Sequence, residues 1–194
     1  MSLSFRTLTG AAVEDALDDL ARLRAKVFRD WPYLYDGDPE NEAAYLRSYT
    51  GTEGAILVAA RDGERMVGCA TGMPLHSHQD ARDVPLADLG LAMDDVFYCA
   101  ESVLLAEYRG QGAGHAFFEA REDHARATGF GTAMFCGVER AQDHPKRPDG
   151  ARSLEPFWKG RGYSPREAVV RMTWTDIGDD TPTEKHLRVW TKPL

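Results

Sequence analysis

The chain has 194 residues and is 43% hydrophobic, long enough for one filled core and short for two, so a single domain over residues 1–194 is expected. Its 31 acidic and 23 basic residues give a formal net charge of −8 with no Lys/Arg-rich block. That excludes the electrostatic footprint of a nucleic-acid binder and mildly favours amine-bearing partners, although an acidic surface that aids solubility is the plainer reading. Cys69, Cys99 and Cys136 are scattered through apolar segments, an odd set that argues against a disulfide framework and for a reducing compartment. Met1 to Gly10 is too short and polar for a signal sequence, and no run reaches the length of a membrane span. A cytoplasmic protein without membrane contact is expected.

In chain order, Ser4 to Leu8 alternates as a short strand. Val13, Ala16, Leu17, Leu20, Leu23, Val27 and Phe28 then recur at helical spacing to about Arg29. Residues Trp31 to Pro39 carry turn chemistry, and a second helix is expected over about Glu40 to Tyr49. Ala55 to Ala60 and Met66 to Met73 predict a hairpin about Asp62-Gly63. The stretch His76 to Asp95 is polar with local helical character. Val96 to Leu105 predicts a buried strand, Gly112 to Thr128 a helix capped by Gly129, and Thr132 to Val138 another strand. A charged, Pro-rich connection, Arg140 to Ser153, leads to a short helix, Leu154 to Gly160, and to closing strands at Val169 to Thr175 and Leu187 to Thr191. The order β-α-α-β-β-β-α-β-α-β-β predicts an α/β fold with a mixed sheet of six to seven strands flanked by helices.

The most informative segment is Arg109-Gly110-Gln111-Gly112-Ala113-Gly114, set between the apolar run Val103-Leu104-Leu105 and the helix that follows. Main-chain N–H groups at a helix start have no intrahelical partner, the helix dipole adds partial positive charge, and glycines let a phosphate approach the backbone. No Lys follows the glycines as a Walker loop requires. His115 stands where a dinucleotide fingerprint needs its third Gly.

The remaining pattern, R-G-x-G-x-[GA] after a strand, resembles motif A of the GCN5-related N-acetyltransferases (the GNAT superfamily), whose loop amides hold the pyrophosphate of acetyl-CoA. Phe157-Trp158-Lys159-Gly160-Arg161-Gly162-Tyr163 is similar to the superfamily's later F-Y-x-x-x-G-[FY] element, and Glu101-Ser102-Val103-Leu104-Leu105 resembles the strand that pairs with the pantetheine arm. With the element order, the likeness covers nearly the whole chain. It implies an acyl-CoA N-acyltransferase-like fold with a mostly antiparallel sheet, acetyl-CoA as co-substrate without a metal, and a small-molecule or peptide amine as acceptor. A homodimer is an expectation of the same kind. The cofactor contacts implied are Val103, Leu104, Leu105, Ala106, Arg109, Gly110, Gln111, Gly112, Ala113, Gly114, Phe157 and Trp158.

Acetyl transfer needs a held donor, a neutral amine, donors for developing negative charge, and a stable leaving thiolate. Glu101 sits on the strand carrying the cofactor contacts, where some relatives place an acidic substrate contact. A carboxylate among Cys99, Ala100 and Val103 needs a partner or a role, either an amine-binding group or general base, or a structural ion pair with an Arg. Asp94 and Asp95 are alternative bases, though a turn before a strand more often supplies caps. Many relatives carry Tyr at the position of Trp158, where its hydroxyl serves the leaving thiolate; indole donates a hydrogen bond but transfers no proton. Tyr98 and Tyr163 are the substitutes on offer. Phe28, Tyr33 and Tyr35, with Trp31, form an aromatic group at the first loop suited to an apolar or cationic acceptor, or equally to a satellite core. His76 and His78 lack a third ligand at metal spacing and read as solvated loop residues. A second reading is a non-catalytic acyl-CoA-binding sensor or interaction module, and a hydroxyl acceptor or longer acyl chain is a third.

Overall fold

A computed structural model describes residues 3–37, 42, 45–78 and 84–194, and the side chain of Ser48 is not among what it describes. Seven strands form one sheet: β1 (Ser4–Thr9), β2 (Ile56–Asp62), β3 (Arg65–Pro74), β4 (Val96–Leu104), β5 (Thr132–Glu139), β6 (Ser164–Trp174) and β7 (Thr183–Pro193). Their spatial order is β1-β2-β3-β4-β5-β7-β6, and of the paired neighbours only β4 and β5 run parallel. The expected α/β class with a mostly antiparallel mixed sheet is what the chain adopts.

Helices cover both faces. The first stripe of apolar residues forms two segments, α1 (Ala11–Glu14) and α2 (Leu17–Val27), rather than one helix. The Ala16 N–H donates to Val13 O, tightening the backbone by one residue at the join, yet Val13, Ala16, Leu20 and Leu23 all remain buried on one side. A four-residue helix, α3 (Leu86–Leu89), lies within the polar stretch; α4 (Ala113–Ala127) follows the glycine loop, and α5 (Glu155–Gly160) precedes β6. Of the expected second helix, Glu42, Tyr45 and Leu46 are helical and Arg47–Tyr49 forms a 3-10 turn; residues 40, 41, 43 and 44 lie outside the described residues, as do residues 38 and 39 of the first loop and residues 79–83 of the polar stretch.

The β2–β3 hairpin forms about residues 63 and 64 as its turn signal predicts, and β2 is buried on both faces: Leu57 and Ala59 join the α2-side core, Ile56, Val58 and Ala60 the α4-side core. The closing strands are longer than predicted. β6 is an edge strand carrying Arg166, Glu167 and Arg171, so its ladder with β7 outruns its hydrophobic signal.

Two irregularities break the sheet at its centre. β4 and β5 pair only through Val96–Thr132, Phe97–Ala133 and Tyr98–Met134, although β4 continues to Leu104 and β5 to Glu139. Beyond Tyr98 the two strands therefore part. Across the other edge of β4, Thr71 faces Glu101 while Met73 faces Tyr98, so β4 holds one extra residue there. That bulge puts both Ala100 and Glu101 toward α2.

Candidate active site

The loop before α4 has the geometry of an anion cradle. Gly110 and Gly112 adopt φ +77° and +84°, and a Cβ at either would stand in open space. Both conformations are strained for any other residue. The Arg109 N–H donates to Ala106 O and the His115 N–H to Gly112 O. Between them, the N–H groups of residues 110–114 have no acceptor among the described residues. The Gly112 N-cap position carries no side-chain cap, leaving the positive end of a 15-residue helix uncovered. The Phe157 ring forms one wall: it stands 3.1 Å from where a Cβ on Gly114 would be and meets the His115 ring edge-on at 5.0 Å. Gly114 thus lets α5 close against the first turn of α4. Arg109 is half exposed and lies 3.6 Å from Asp30.

On the α2 face, Glu101 is buried and joins a polar network. Its carboxylate pairs with the Arg24 guanidinium, which also pairs with buried Glu42. Arg24 is flanked by the rings of Tyr45 and Phe28, at 4.4 and 4.8 Å from its Cζ. Thr71 Oγ1 lies 3.2 Å from Glu101 Oε1 and 3.1 Å from the Tyr49 hydroxyl. Tyr49 meets Tyr45 at 3.3 Å, and Tyr45 meets His78 Nε2 at 3.3 Å. His78 lies edge-on to Tyr98 at 4.6 Å between ring centroids. The expectation of a solvated His78 is therefore corrected: it is 4% exposed, and burial together with Arg24 lowers its pKa to about 4, so it is neutral. His76 is exposed, 3.5 Å from Asp94. Asp95 is a brace, accepting from the Gly131 N–H and the Thr132 hydroxyl.

The aromatic loop is fixed from below. Arg140 donates to Pro32 O and Tyr33 O and grips Asp176 with two nitrogens at 2.7 and 2.9 Å; Trp174 Nε1 also donates to Tyr33 O. Lys185 Nζ lies 3.3 Å from Asp176. Burial opposes ionisation of Asp176, but Arg140 and Lys185 outweigh it and hold the carboxyl below its ordinary range. Held this way, Tyr33 packs against Phe28 at 4.4 Å and Trp174 at 6.3 Å, and burial pushes its hydroxyl up to about 12. Tyr35 makes an isolated bridge with Asp176 and packs against the α2-side core.

The acetyltransferase (GNAT) family model matches residues 18–147, two thirds of the chain and the segment from α2 through the cradle and β5 into the connection that follows. The chain belongs to the acetyltransferase (GNAT) family. Solved structures agree in fold: an acetyltransferase of the GNAT family from Desulfovibrio desulfuricans is 13% identical, with 99% of each chain covered and a TM-score of 0.59. A GCN5-related N-acetyltransferase from Kribbella flavida is 17% identical, covering 99% of this chain and 98% of that one, at 0.60. The PaiA N-acetyltransferase from Thermoplasma acidophilum, solved in complex with coenzyme A, is 12% identical over 100% of both chains, at 0.57. No curated protein matches the chain.

In this GNAT chain the second motif builds an aromatic stack beside the parted strands. Trp158 meets Phe135 at 5.0 Å and Trp190 at 5.1 Å and lies over Gly137 of β5. Tyr163 is core: it packs between Phe118 and Phe135, with burial raising its pKa far above the ordinary tyrosine value. Val103 and Leu105 also bury their side chains, and the Leu105 N–H donates to Val67 O, so that donor is taken; Leu104 is half-buried and Ala106 begins the 3-10 turn leading to the cradle. The structure thus brings Glu101, Tyr98, Phe28 and Tyr33 to the α2 face and sets Tyr163 on the opposite face. Among the described residues, no group of three His, Cys, Asp or Glu is placed to hold a metal, and no helix is long and apolar enough to cross a membrane.

The sequence reading missed Arg24 and Arg121. Arg121 is 1% exposed and donates to Phe117 O, Thr71 O, Glu101 O and Ser102 Oγ, tying α4 to the bulge. Both carry the same signal: an arginine on the apolar stripe of its helix, Arg24 following Leu20 and Leu23, Arg121 following Phe117 and Phe118.

Proposed function

We propose that this chain transfers an acetyl group from acetyl-CoA to the primary amine of a small molecule or peptide, by direct attack of that amine. The observation that carries the reading is the row of N–H groups at residues 110–114 with no acceptor among the described residues, opening beside strands that part after Tyr98, with a buried carboxylate, Glu101, on the face beyond. The coenzyme A bound by the Thermoplasma relative supports the same ligand here. The loop amides and the start of α4 would hold its pyrophosphate, with Arg109 able to add charge and Phe157 walling the cradle. Acetyl-CoA supplies an activated thioester. Glu101 receives the proton that the incoming ammonium must lose, and Phe28 and Tyr33 shape the acceptor's approach. A coenzyme A thiol leaves tolerably as an anion, with a pKa near 8.5 on the cysteine scale, so Trp158 in place of a hydroxyl-bearing residue is compatible with turnover.

The engagement of Glu101 by Arg24 favours a second reading, a non-catalytic acyl-CoA sensor. The test is release of free thiol from acetyl-CoA across a panel of primary amines. Amine-dependent release, strongly reduced in Glu101→Gln with acetyl-CoA affinity retained, supports the enzyme. Tight acetyl-CoA binding with no release on any amine supports the sensor, and unchanged coenzyme A binding in Gly112→Val overturns the placement of the cofactor.

A further inference from the structure

Direct attack requires the amine nitrogen to meet the thioester carbon at about 3–3.5 Å, and an error of about 1 Å can cost about a hundredfold in rate. The cradle that would hold the donor belongs to α4, whereas Glu101, which would take the proton from the amine, belongs to β4. Whatever fixes α4 against β4 therefore sets the distance between the two substrates. The packing of Ala113, Phe117, Phe118 and Ala125 against the sheet is apolar. Such contacts are non-directional and tolerate small slides; charge-assisted hydrogen bonds do not.

We propose that Arg121 is the positioning residue of the transfer, riveting the helix of the cradle to the strand of Glu101, an inference that rests on the amine transfer proposed above. Arg121 is 1% exposed and lies nine residues beyond Gly112, about 13 Å along the α4 axis. Its Nε–H donates to Phe117 O at 3.1 Å, one turn back on the same helix, which fixes the direction of the side chain. Nη1 donates to Thr71 O of β3 and to Glu101 O of β4, both at 3.1 Å, and Nη2 to Ser102 Oγ at 3.0 Å. These bonds fall on the Thr71–Glu101 rung, the last before the ladder slips by one residue toward Met73 and Tyr98. On the α2 face the same rung is closed by Thr71 Oγ1, 3.2 Å from Glu101 Oε1, and by the Arg24 guanidinium. Glu101 is thus held through its carbonyl by one arginine and through its carboxylate by another, from opposite faces of the sheet.

The four acceptors described for Arg121 are neutral oxygens, three carbonyls and one hydroxyl. Burying a cation among neutral acceptors costs desolvation that a leucine at this point of the α4 stripe would avoid. What the arginine contributes is direction: one planar fork reaches its own helix and two strands at fixed angles, which the ammonium of a lysine cannot reproduce. A bulge disrupts the ladder locally, and a slip of one residue turns side chains to the other face. With Arg121 in place, the bulge, the direction of Glu101 and the cradle form one body.

The test measures thiol release from acetyl-CoA with butylamine, putrescine, phenethylamine and L-lysine for Arg121→Met, Arg121→Lys, Ser102→Ala and the double variant of Arg121→Met with Ser102→Ala, at a temperature where circular dichroism shows each protein folded. Positioning predicts that Arg121→Met lowers kcat by about 10- to 100-fold with KM for acetyl-CoA within about twofold of wild type. Arg121→Lys should recover only part of that loss. Ser102→Ala, which removes one of the four acceptors, should cause a smaller loss, and none further in the double variant. A loss carried by KM, no loss, or full recovery in Arg121→Lys overturns the proposal. Should Arg121→Met not fold, Arg121→Lys decides alone: a lower kcat at unchanged KM supports the rivet, and a wild-type kcat overturns it. Independently of turnover, amide exchange in Arg121→Lys should quicken at residues 99–102 while β6 and β7 keep their wild-type rates. Uniform quickening, or none, marks a general contribution to stability and overturns the proposal. Absence of thiol release from the wild type with any of these amines, with exchange quickened at residues 99–102 alone, is instead a failure of the underlying amine-transfer reading.

Discussion

Trp158 lies directly over the main chain of Gly137: its Cη2 and Cζ3 atoms stand 2.9 and 3.1 Å from where a Cβ on that glycine would be. Gly137 is held in register opposite Arg188 of β7, so a side chain there cannot retreat with the strand. Gly137→Ala should push the indole off β5 and cost about 1–3 kcal/mol, the usual price of overpacking. Trp158→Tyr, a smaller ring, should recover much of that loss in the double variant. Urea denaturation of the four proteins gives the coupling; additive effects would mean that the two residues do not share this space. The relationship also ties Trp158 to a glycine that makes room for it.

Arg24 is the counterion of two buried carboxylates, Glu42 and Glu101. Arg24→Met keeps most of the packing and leaves both carboxylates without their cation, so destabilisation of about 3–5 kcal/mol is expected. Arg24→Lys keeps the charge but loses the planar fork that reaches two carboxylates and sits between Phe28 and Tyr45. It should therefore recover only part of the loss. Denaturant midpoints at pH 7 decide this, and a methionine variant as stable as wild type would show that the network contributes nothing to stability.

The cradle and second motif were legible because their chemistry is local. Gly110 and Gly112 need left-handed backbone, and Phe157 to Tyr163 is a contiguous element, so both survive as patterns in the chain. The stripes of the first helical region and of α4 were legible, although the first forms two segments, and β2, β3, β4 and β5 were legible from apolar runs. The polar network on the α2 face was not. Arg24, Thr71, Tyr49 and His78 come from four separate segments that meet only after the sheet assembles, and the bulge that turns Glu101 toward them is a mismatch of one residue between β3 and β4. His78 illustrates the difficulty: its sequence neighbours are polar, while its burial comes from Tyr45 and Tyr98. The edge strand β6 was undercounted for the converse reason, since its outward residues are charged.

His78 makes stability depend on pH. Its folded pKa of about 4 lies below the ordinary 6.5, so the unfolded chain binds a proton in the interval that the folded one does not. Stability is fully present above about pH 6.5, falls as pH drops toward 4 and levels below that. At about 1.4 kcal/mol per pH unit, the whole interval amounts to about 3 kcal/mol. Denaturation midpoints from pH 7.5 to 4 should show this slope in the wild type and a flatter one in His78→Gln. Parallel curves would place the acid sensitivity elsewhere.

Gly112 tests the cradle without touching the network on the α2 face. At φ +84°, a β-branched side chain is strained whatever the space around it. Gly112→Val should therefore distort the loop amides and weaken coenzyme A binding by about tenfold or more, since several charge-assisted N–H contacts are lost together. Isothermal titration with coenzyme A is the direct readout. The pH dependence assigned to His78 should be unchanged in this variant, which separates a local loop effect from a general loss of structure.

Asp176 is the remaining anchor, and its removal separates the aromatic loop from the cradle. Asp176→Ala leaves Arg140 and Lys185, 7% and 3% exposed at their side chains, as buried cations without a carboxylate. About 3–5 kcal/mol of stability should be lost. Arg140 also holds Pro32 O and Tyr33 O, so the loop should loosen first, with faster amide exchange at Leu34 and Tyr35, whose N–H groups donate to Asp30 O and Phe28 O. Because the folded pKa of Asp176 is depressed, its contribution is present above the unfolded value of about 3.9 and is lost as pH falls through the folded value; Asp176→Asn removes that acid-sensitive component. In kinetics the variant should raise KM for the amine while leaving KM for acetyl-CoA near wild type, because none of the hydrogen bonds and ion pairs described for Asp176, Arg140 and Lys185 reaches residues 110–114. A rise in both constants would instead show that the loop and the cradle move together.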